Sequence, residues 1–312
     1  MNVTVVNNLG MDFPEEILSL PGLTEVRIDP NAEVPHGLAA DVIFTHTRGT
    51  PNLEAVIDCG AAWIHVMGVG IDDFPLDLVR SDQTLTCARG STATPISEFA
   101  LAAMLAHAKA LPDAWINEVP PDGWHTGPKM GALNGHTAVV VGVGGIGAEI
   151  ARLSLAFGMR VIGVRRRLLP APHAGMEITT DLSDVISDAH HLVLAAPATS
   201  ETVAMLDRDM LARVTPGLHI VNIARGTLID QEALREALDD GRVARASLDA
   251  VVPEPLPDGH WLFTHRSVRL SPHISWAAPD SGHSMFDTFI TNYHRLTAGE
   301  PLDGIVDLEL GY

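Results

Sequence analysis

The segment Thr137-Ala-Val-Val-Val-Gly142-Val-Gly144-Gly145-Ile146-Gly147 constrains the fold more than any other stretch of the chain. Residues 137–141 read as a strand buried on both faces, because apolar residues follow one another without polar alternation. Glycines then come in the order GxGxxG, and residues 148–157 read as a helix. In such a strand–turn–helix, Gly142 permits the tight turn, Gly144 lets the backbone approach a pyrophosphate, and Gly147 brings helix and strand together. The unpaired amides around Gly145 and Ile146, where the helix opens, can receive an anion. A glycine turn alone is weak evidence. Its position between a strand and a helix, inside a long series of both, points to dinucleotide binding.

That series extends in both directions. After the turn, strands are expected over 159–164, 191–195, 219–223, 245–248 and 268–270, with helices at 208–211 and 231–238. Before it, strands are expected over 3–6, 25–28, 41–45, 62–65 and 84–88, with helices at 14–20 and 52–58. Both halves read as parallel α/β units. Residues 97–110 (SEFALAAMLAHAKA) form a further expected helix after Pro95, with Ser97 or Thr94 able to cap it. Its apolar character predicts burial against another domain or a partner subunit. A stretch rich in Pro, Asp and Gly over 111–135 marks a boundary, and 286–298 reads as a late helix. At 312 residues the chain has room for two domains of ordinary size.

Composition narrows the function classes. Thirty-nine acidic against 20 basic residues give a formal net charge of -19. Such a field repels phosphate backbones and argues against nucleic acid as a partner. It also repels anionic substrates, so a carboxylate or phosphate pocket must carry its own arginines. Cys59 and Cys87 stand in neither CxxC nor metal-ligand spacing and read as reduced thiols, with no metal site expected. The first six residues read as a strand rather than a signal peptide, and no uncharged apolar run reaches membrane-helix length. A soluble, cytoplasmic protein is the expectation.

The strand after the glycine turn normally ends in the residue that selects the cofactor: an acid for the ribose diol of NAD, an arginine for the 2'-phosphate of NADP. Here Arg160-Val-Ile-Gly-Val164 runs into Arg165, Arg166 and Arg167, with no acid at that place. A run of charge is usually a solvated loop, but this one sits where the discriminating residue must sit. Guanidinium groups match phosphate geometry. NADP is therefore the expected cofactor, with NAD less preferred and Arg166 the leading contact.

Three more segments carry chemistry. Ile220-Val-Asn222-Ile-Ala-Arg225-Gly226 puts an arginine beyond a buried strand. Leu248-Asp249-Ala-Val-Val-Pro-Glu254-Pro255 puts a carboxylate beyond the next, and Leu270-Ser-Pro272-His273-Ile274 a histidine beyond the one after. Reduction of a ketone by hydride builds negative charge on oxygen, which needs a proton donor and fixed positive charge. Histidine suits the first task near neutral pH, a nearby carboxylate favours its protonated form, and arginine suits a substrate carboxylate.

With the glycine turn, these loops resemble the D-2-hydroxyacid dehydrogenase family, most closely its glyoxylate and hydroxypyruvate reductase branch. Arg225, Glu254 and His273 stand 29 and 19 residues apart in that order. Further likenesses are 196–202 (APATSET), the helix opening Ile96-Ser97-Glu98-Phe99, and the C-terminal Val306-Asp307 and Gly311-Tyr312. The resemblance covers nearly the whole chain. It implies two Rossmann-like α/β domains with parallel sheets, the cofactor domain (96–282) inserted into a substrate domain (1–95 and 283–312), with long helices passing between them.

By the same resemblance, Arg225 holds the substrate carboxylate, His273 is the acid–base group and Glu254 bonds its other ring nitrogen. The amides of Gly68, Val69 and Gly70 are expected on the substrate carboxylate. Pro197, Thr202 and Ala224 are expected on the cofactor, with Asp249 at the nicotinamide carboxamide. The implied reaction is the reversible NADPH-linked reduction of a small 2-keto acid to the D-2-hydroxy acid, in a homodimer.

Some features depart from the family pattern or leave its reading open. The arginine run replaces the usual acidic or aromatic strand end. Trp276 can line a substrate pocket or simply pack, and Arg89 can meet a second substrate anion. The loop holding Trp115, Trp124 and His125 can be a lid or a subunit contact. A bulkier aryl or sugar-derived keto acid, an NAD-linked phosphorylated hydroxy acid, and a cofactor-sensing binding protein without turnover are the competing readings.

Overall fold

The inner strands of both sheets bury apolar residues on both faces, so each sheet needs cover on both sides. In the structure, a computed structural model describing residues 1–312, the chain divides into two units: Met1–Thr92 with Ala278–Tyr312, and Ala93–Ala277.

The first unit holds strands β1 (Val3–Asn7), β2 (Leu23–Arg27), β3 (Val42–His46), β4 (Trp63–Met67) and β5 (Thr84–Cys87) in a parallel sheet of order β2-β1-β3-β4-β5. Helices α1 (Glu15–Leu18) and α2 (Leu53–Ile57) connect its early strands. Val6, Ile43, Ile64 and Leu85 pack with α2 on one face. Val5, Phe44 and Trp63 pack on the other against Phe289 and Tyr293 of the last helix. Phe289 stacks on Phe44 at 4.6 Å and on Trp63 at 5.2 Å between ring centroids. Cys59 and Cys87 are buried and unpaired.

The second unit opens on helix α3 (Ala93–Ala108) and carries β6 (Thr137–Val141), α4 (Gly145–Ala156), β7 (Arg160–Val164), β8 (Met176–Thr179), β9 (His191–Leu194), α5 (Arg208–Leu211), β10 (Leu218–Asn222), α6 (Gln231–Asp239), β11 (Val243–Leu248) and β12 (Val268–Leu270). Its seven strands are parallel in the order β12-β11-β10-β9-β6-β7-β8. Chain order reverses between β9 and β6, the place where ligands bind in open sheets of this kind. Val139, Val141, Leu192 and Ile220 bury one face, while Ala138, Val140, Val193 and Val221 bury the other against Met104 of α3 and Ile150 of α4. Helix α7 (Ser281–Ala298) returns the chain to the first unit and stops at Gly299, whose φ of 73° is left-handed.

Several boundaries depart from expectation. Helix α3 starts at Ala93, so Ser97 lies within it, and its hydroxyl donates back to the Thr94 carbonyl instead of capping the end. Pro95 fits inside that first turn because it has no N–H to leave unpaired. Helix α7 starts at Ser281, five residues before the apolar run that signals it. Strand β8 was not anticipated: it is a short edge strand with one buried residue, Met176. No helix is long and apolar enough to cross a membrane.

Candidate active site

The register of the seven-stranded sheet brings the ends of six strands level. Val164, Val141, Leu194, Asn222, Leu248 and Leu270 are successive cross-strand partners from β7 to β12. Every functional segment anticipated in this unit begins just beyond one of them.

Beyond Val141, Gly142 has φ +91° and a side chain there would meet the Ala196 backbone at 2.6 Å. A side chain on Gly147 would collide with the Gly142 carbonyl, whereas Gly144 faces open space. The turn thus has the shape for a pyrophosphate: two glycines demanded by packing, a third leaving the backbone bare, and amides of Gly145 and Ile146 at the mouth of α4. Beyond Val164 come Arg165, partly buried with its amide bonded to the Thr179 carbonyl, and the exposed Arg166 and Arg167. Beyond Leu194, the Thr202 hydroxyl donates to the Pro197 carbonyl at 2.7 Å and accepts from the Thr199 amide at 2.8 Å, closing that loop.

On β10, the buried Asn222 accepts from the Ala224 amide at 3.1 Å and donates to the Arg225 carbonyl at 2.9 Å. Gly226 lies against the Val251 backbone so closely that any side chain would collide. The arginine loop and the Glu254 loop are thereby locked together. Glu254 accepts from the Val251 amide through Oε1 (2.9 Å) and meets His273 Nδ1 through Oε2 (2.9 Å). The His273 and Glu254 side chains are 41% and 30% exposed, enough for a substrate to reach the ring. With Nδ1 committed to a carboxylate, Nε2 is the nitrogen left to exchange a proton with a ligand. Trp276 follows, its indole N–H donating to the His273 carbonyl at 3.0 Å.

Asp249 is buried, and its carboxylate is engaged by Ser271, Ile274 and Ser275. Arg225, Asp249, Glu254, His273 and Trp276 therefore belong to one unit and three neighbouring strand ends. Gly68, Val69, Gly70 and Arg89 belong to the other unit, in the loops after β4 and β5. There Gly68 has φ +141° and its carbonyl accepts from the Ala88 amide at 2.8 Å. Sequence reasoning missed Asn222, Ser271 and Ser275 as organisers of these loops. A polar residue directly after the apolar pair Ile220-Val221 was the available signal for Asn222.

Comparison with known proteins gives the family. Residues 101–275 match the D-isomer specific 2-hydroxyacid dehydrogenase, NAD binding domain. The chain is 35% identical over 236 residues to D-3-phosphoglycerate dehydrogenase of Mycobacterium tuberculosis (strain ATCC 25618 / H37Rv), covering 73% of this chain and 44% of that one. It spans about half the length of the mycobacterial relatives it matches. It is 29% identical over 261 residues to human glyoxylate reductase/hydroxypyruvate reductase, covering 80% and 79% of the two chains. Among solved structures, a D-isomer specific 2-hydroxyacid dehydrogenase family protein of Aeromonas salmonicida superposes with TM-score 0.80 at 26% identity, over 99% and 100% of the chains. An NADPH-dependent glyoxylate/hydroxypyruvate reductase of Sinorhizobium meliloti, in complex with NADP and sulfate, shares the fold with TM-score 0.81 at 23% identity over the full length of both. A glycine turn at the switch point, an arginine loop and a carboxylate-backed histidine thus meet in one parallel sheet, and the chain belongs to the D-isomer specific 2-hydroxyacid dehydrogenase family.

Proposed function

We propose that this protein reduces a small 2-keto acid, of the glyoxylate or hydroxypyruvate kind, to the D-2-hydroxy acid using NADPH, and runs the reverse reaction by the same groups. The observation that carries the reading is the 2.9 Å pair of His273 and Glu254 beside the arginine loop. When bound, a reduced nicotinamide supplies the hydride. Arg225 binds the substrate carboxylate in a planar, two-point contact and polarises the keto oxygen. His273 donates a proton from Nε2 as negative charge grows on that oxygen, while Glu254 orients the ring through Nδ1. In the reverse direction the neutral ring takes the hydroxyl proton.

The preference for NADPH rests on Arg165, Arg166 and Arg167 at the end of β7, where no acid stands. A matrix of initial rates with NADPH and NADH against several 2-keto acids tests both points. Arg166→Ala should raise the NADPH KM about tenfold or more and leave the NADH KM within about twofold, since a charge-assisted phosphate contact is lost. Equal effects on the two cofactors, or no turnover of any 2-keto acid, would sink the reading. The likeness to D-3-phosphoglycerate dehydrogenase favours one alternative, NAD-linked oxidation of a phosphorylated hydroxy acid. Faster turnover of such an acid with NAD than of glyoxylate with NADPH would establish it.

The active form is proposed to be a homodimer. A groove of about 410 Å³ along α3 is lined by Phe99, Ala103, Leu111, Trp115, Leu248 and Leu270, among others. Trp115 and Trp124 nearby in sequence are 73% and 68% exposed, a cost that a second copy would remove. Light scattering at micromolar concentration should give twice the mass of one chain, and Ala103→Glu should halve it.

A further inference from the structure

We infer that Asp249 is a positioning residue for the histidine: its buried carboxylate holds the 271–275 loop in the one shape that presents His273 to Glu254. This rests on the reading of His273 as the acid–base group.

Three donors from that loop converge on this single side chain, which is 1% exposed. Oδ1 accepts from the Ser271 hydroxyl at 2.5 Å and the Ile274 amide at 3.0 Å, and Oδ2 accepts from the Ser275 amide at 2.9 Å. The Asp249 carbonyl takes the His273 amide at 3.0 Å. One residue on β11's end thus receives four bonds from the segment that follows β12. Asp249 is itself fixed, because its own amide donates to the Asn222 carbonyl of β10 at 2.9 Å.

The loop needs such a clamp. His273 has φ +54°, a left-handed conformation that a residue with a Cβ rarely adopts and that persists only where surrounding contacts over-determine it. Ile274 and Trp276 are 47% and 42% exposed, so side-chain packing does little to hold the segment. A carboxylate is the one small side chain that only accepts, with room for several N–H and O–H donors. An asparagine would offer one oxygen and turn an NH2 group toward a remaining donor. Because the same strand ends carry Arg225, the clamp also sets the histidine against the substrate-binding arginine loop.

The full-length Asp249→Asn, Ser271→Ala and His273→Ala proteins test this by kinetics with glyoxylate, NADPH titration by fluorescence, and hydrogen exchange of the 271–276 peptide without cofactor. Asp249→Asn should lower kcat about a hundredfold, the cost of a small misplacement, while NADPH affinity stays within about threefold. The 271–276 peptide should exchange at least about tenfold faster while the rest of the sheet keeps its protection. Ser271→Ala should do the same more mildly and decides the matter if Asp249→Asn does not fold. Unchanged exchange, or a loss of NADPH affinity that accounts for the loss of rate, would overturn the inference and leave Asp249 a cofactor contact. If His273→Ala keeps wild-type rates, the proposed function falls, and the exchange measurement still judges the clamp.

Discussion

The seven-stranded sheet carries histidines at both ends of its strands, and the two sets have opposite surroundings. At the carboxyl ends, His273 is accessible and paired with Glu254. At the amino ends, His136 and His190 precede β6 and β9, His191 opens β9, and His219 lies beside it in register with Arg245 of β11. His107 of α3 packs tilted against His219 at 4.5 Å, and His136 stacks on His190 at 4.3 Å. His191 and His219 share one hydrogen bond between their Nδ1 atoms (3.1 Å), and His219 Nε2 meets the Ser247 hydroxyl at 2.9 Å. No carboxylate bonds to any of the five. A single proton bridging two imidazoles requires at least one of them to be neutral. The same side chain is thus an accessible, carboxylate-paired ring at one end of the sheet and a buried packing group with hydrogen-bonding edges at the other.

The amino-end cluster has a clear electrostatic signature. Burial pushes His191 down to about 3, with smaller contributions from His107, His136 and His190. Burial also holds His219 well below the ordinary range, followed by the charges of His107, His191 and Arg245. His107 is lowered by burial and then by Arg245 and His136, and His136 by burial and then by His190. Arg245 carries a buried Nη1 without a hydrogen-bond partner and is itself lowered by burial, then by Arg269, with Asp113 opposing.

Four experiments would sharpen or break the contrast. The largest effect belongs to His273→Ala, which should cut turnover about a thousandfold while leaving the thermal midpoint and NADPH binding nearly unchanged. A retained rate would place the chemistry elsewhere. Second, acid should act on stability through the other end. The unfolded chain protonates His191 and His219 near pH 6.5 and the folded chain only far below, so the stability they contribute is complete above about 6.5 and drains away as pH falls toward 3. Each fully shifted group forfeits about 2 kcal/mol by pH 5. For a unit of this size, two such groups should lower the midpoint by about 8–16 °C between pH 7.5 and 5. A flat profile in calorimetry would contradict the burial argument. Third, His219→Leu should lower stability at pH 7.5, because it orphans the Ser247 hydroxyl, yet reduce the acid-induced drop by about half. Glyoxylate reduction at pH 7.5 should stay within about twofold, since this residue lies at the far ends of the strands. The smallest effect is expected of Trp276→Ala, which should shift preference toward bulkier 2-keto acids by only a few-fold, as a change of pocket volume does.

Much of this contrast was legible beforehand on one side only. The glycine turn, the arginine run and the Arg225–Glu254–His273 order lie in consecutive residues or fixed offsets, and apolar strands of period two place their ends in a row. The clamp on Asp249 and the histidine cluster are products of register. His191 and His219 are 28 residues apart in the chain yet become partners only because β9 and β10 pair as they do. Strand β8 escaped notice because a single buried residue leaves no period to read. The start of α7 escaped because Ser281, Gly282 and His283 carry no apolar stripe.

The first unit also has an implication for synthesis. Its sheet comes off the ribosome early, but the rings that stack on Phe44 and Trp63 belong to Phe289 and Tyr293 near the other end of the chain. The intervening unit contains all its own strands and can consolidate first, while one face of the early sheet, covered in part by Phe13, Ile17 and Leu20, waits for the rest of its cover. A nascent chain halted before α7 would therefore present to chaperones a surface that the finished protein hides.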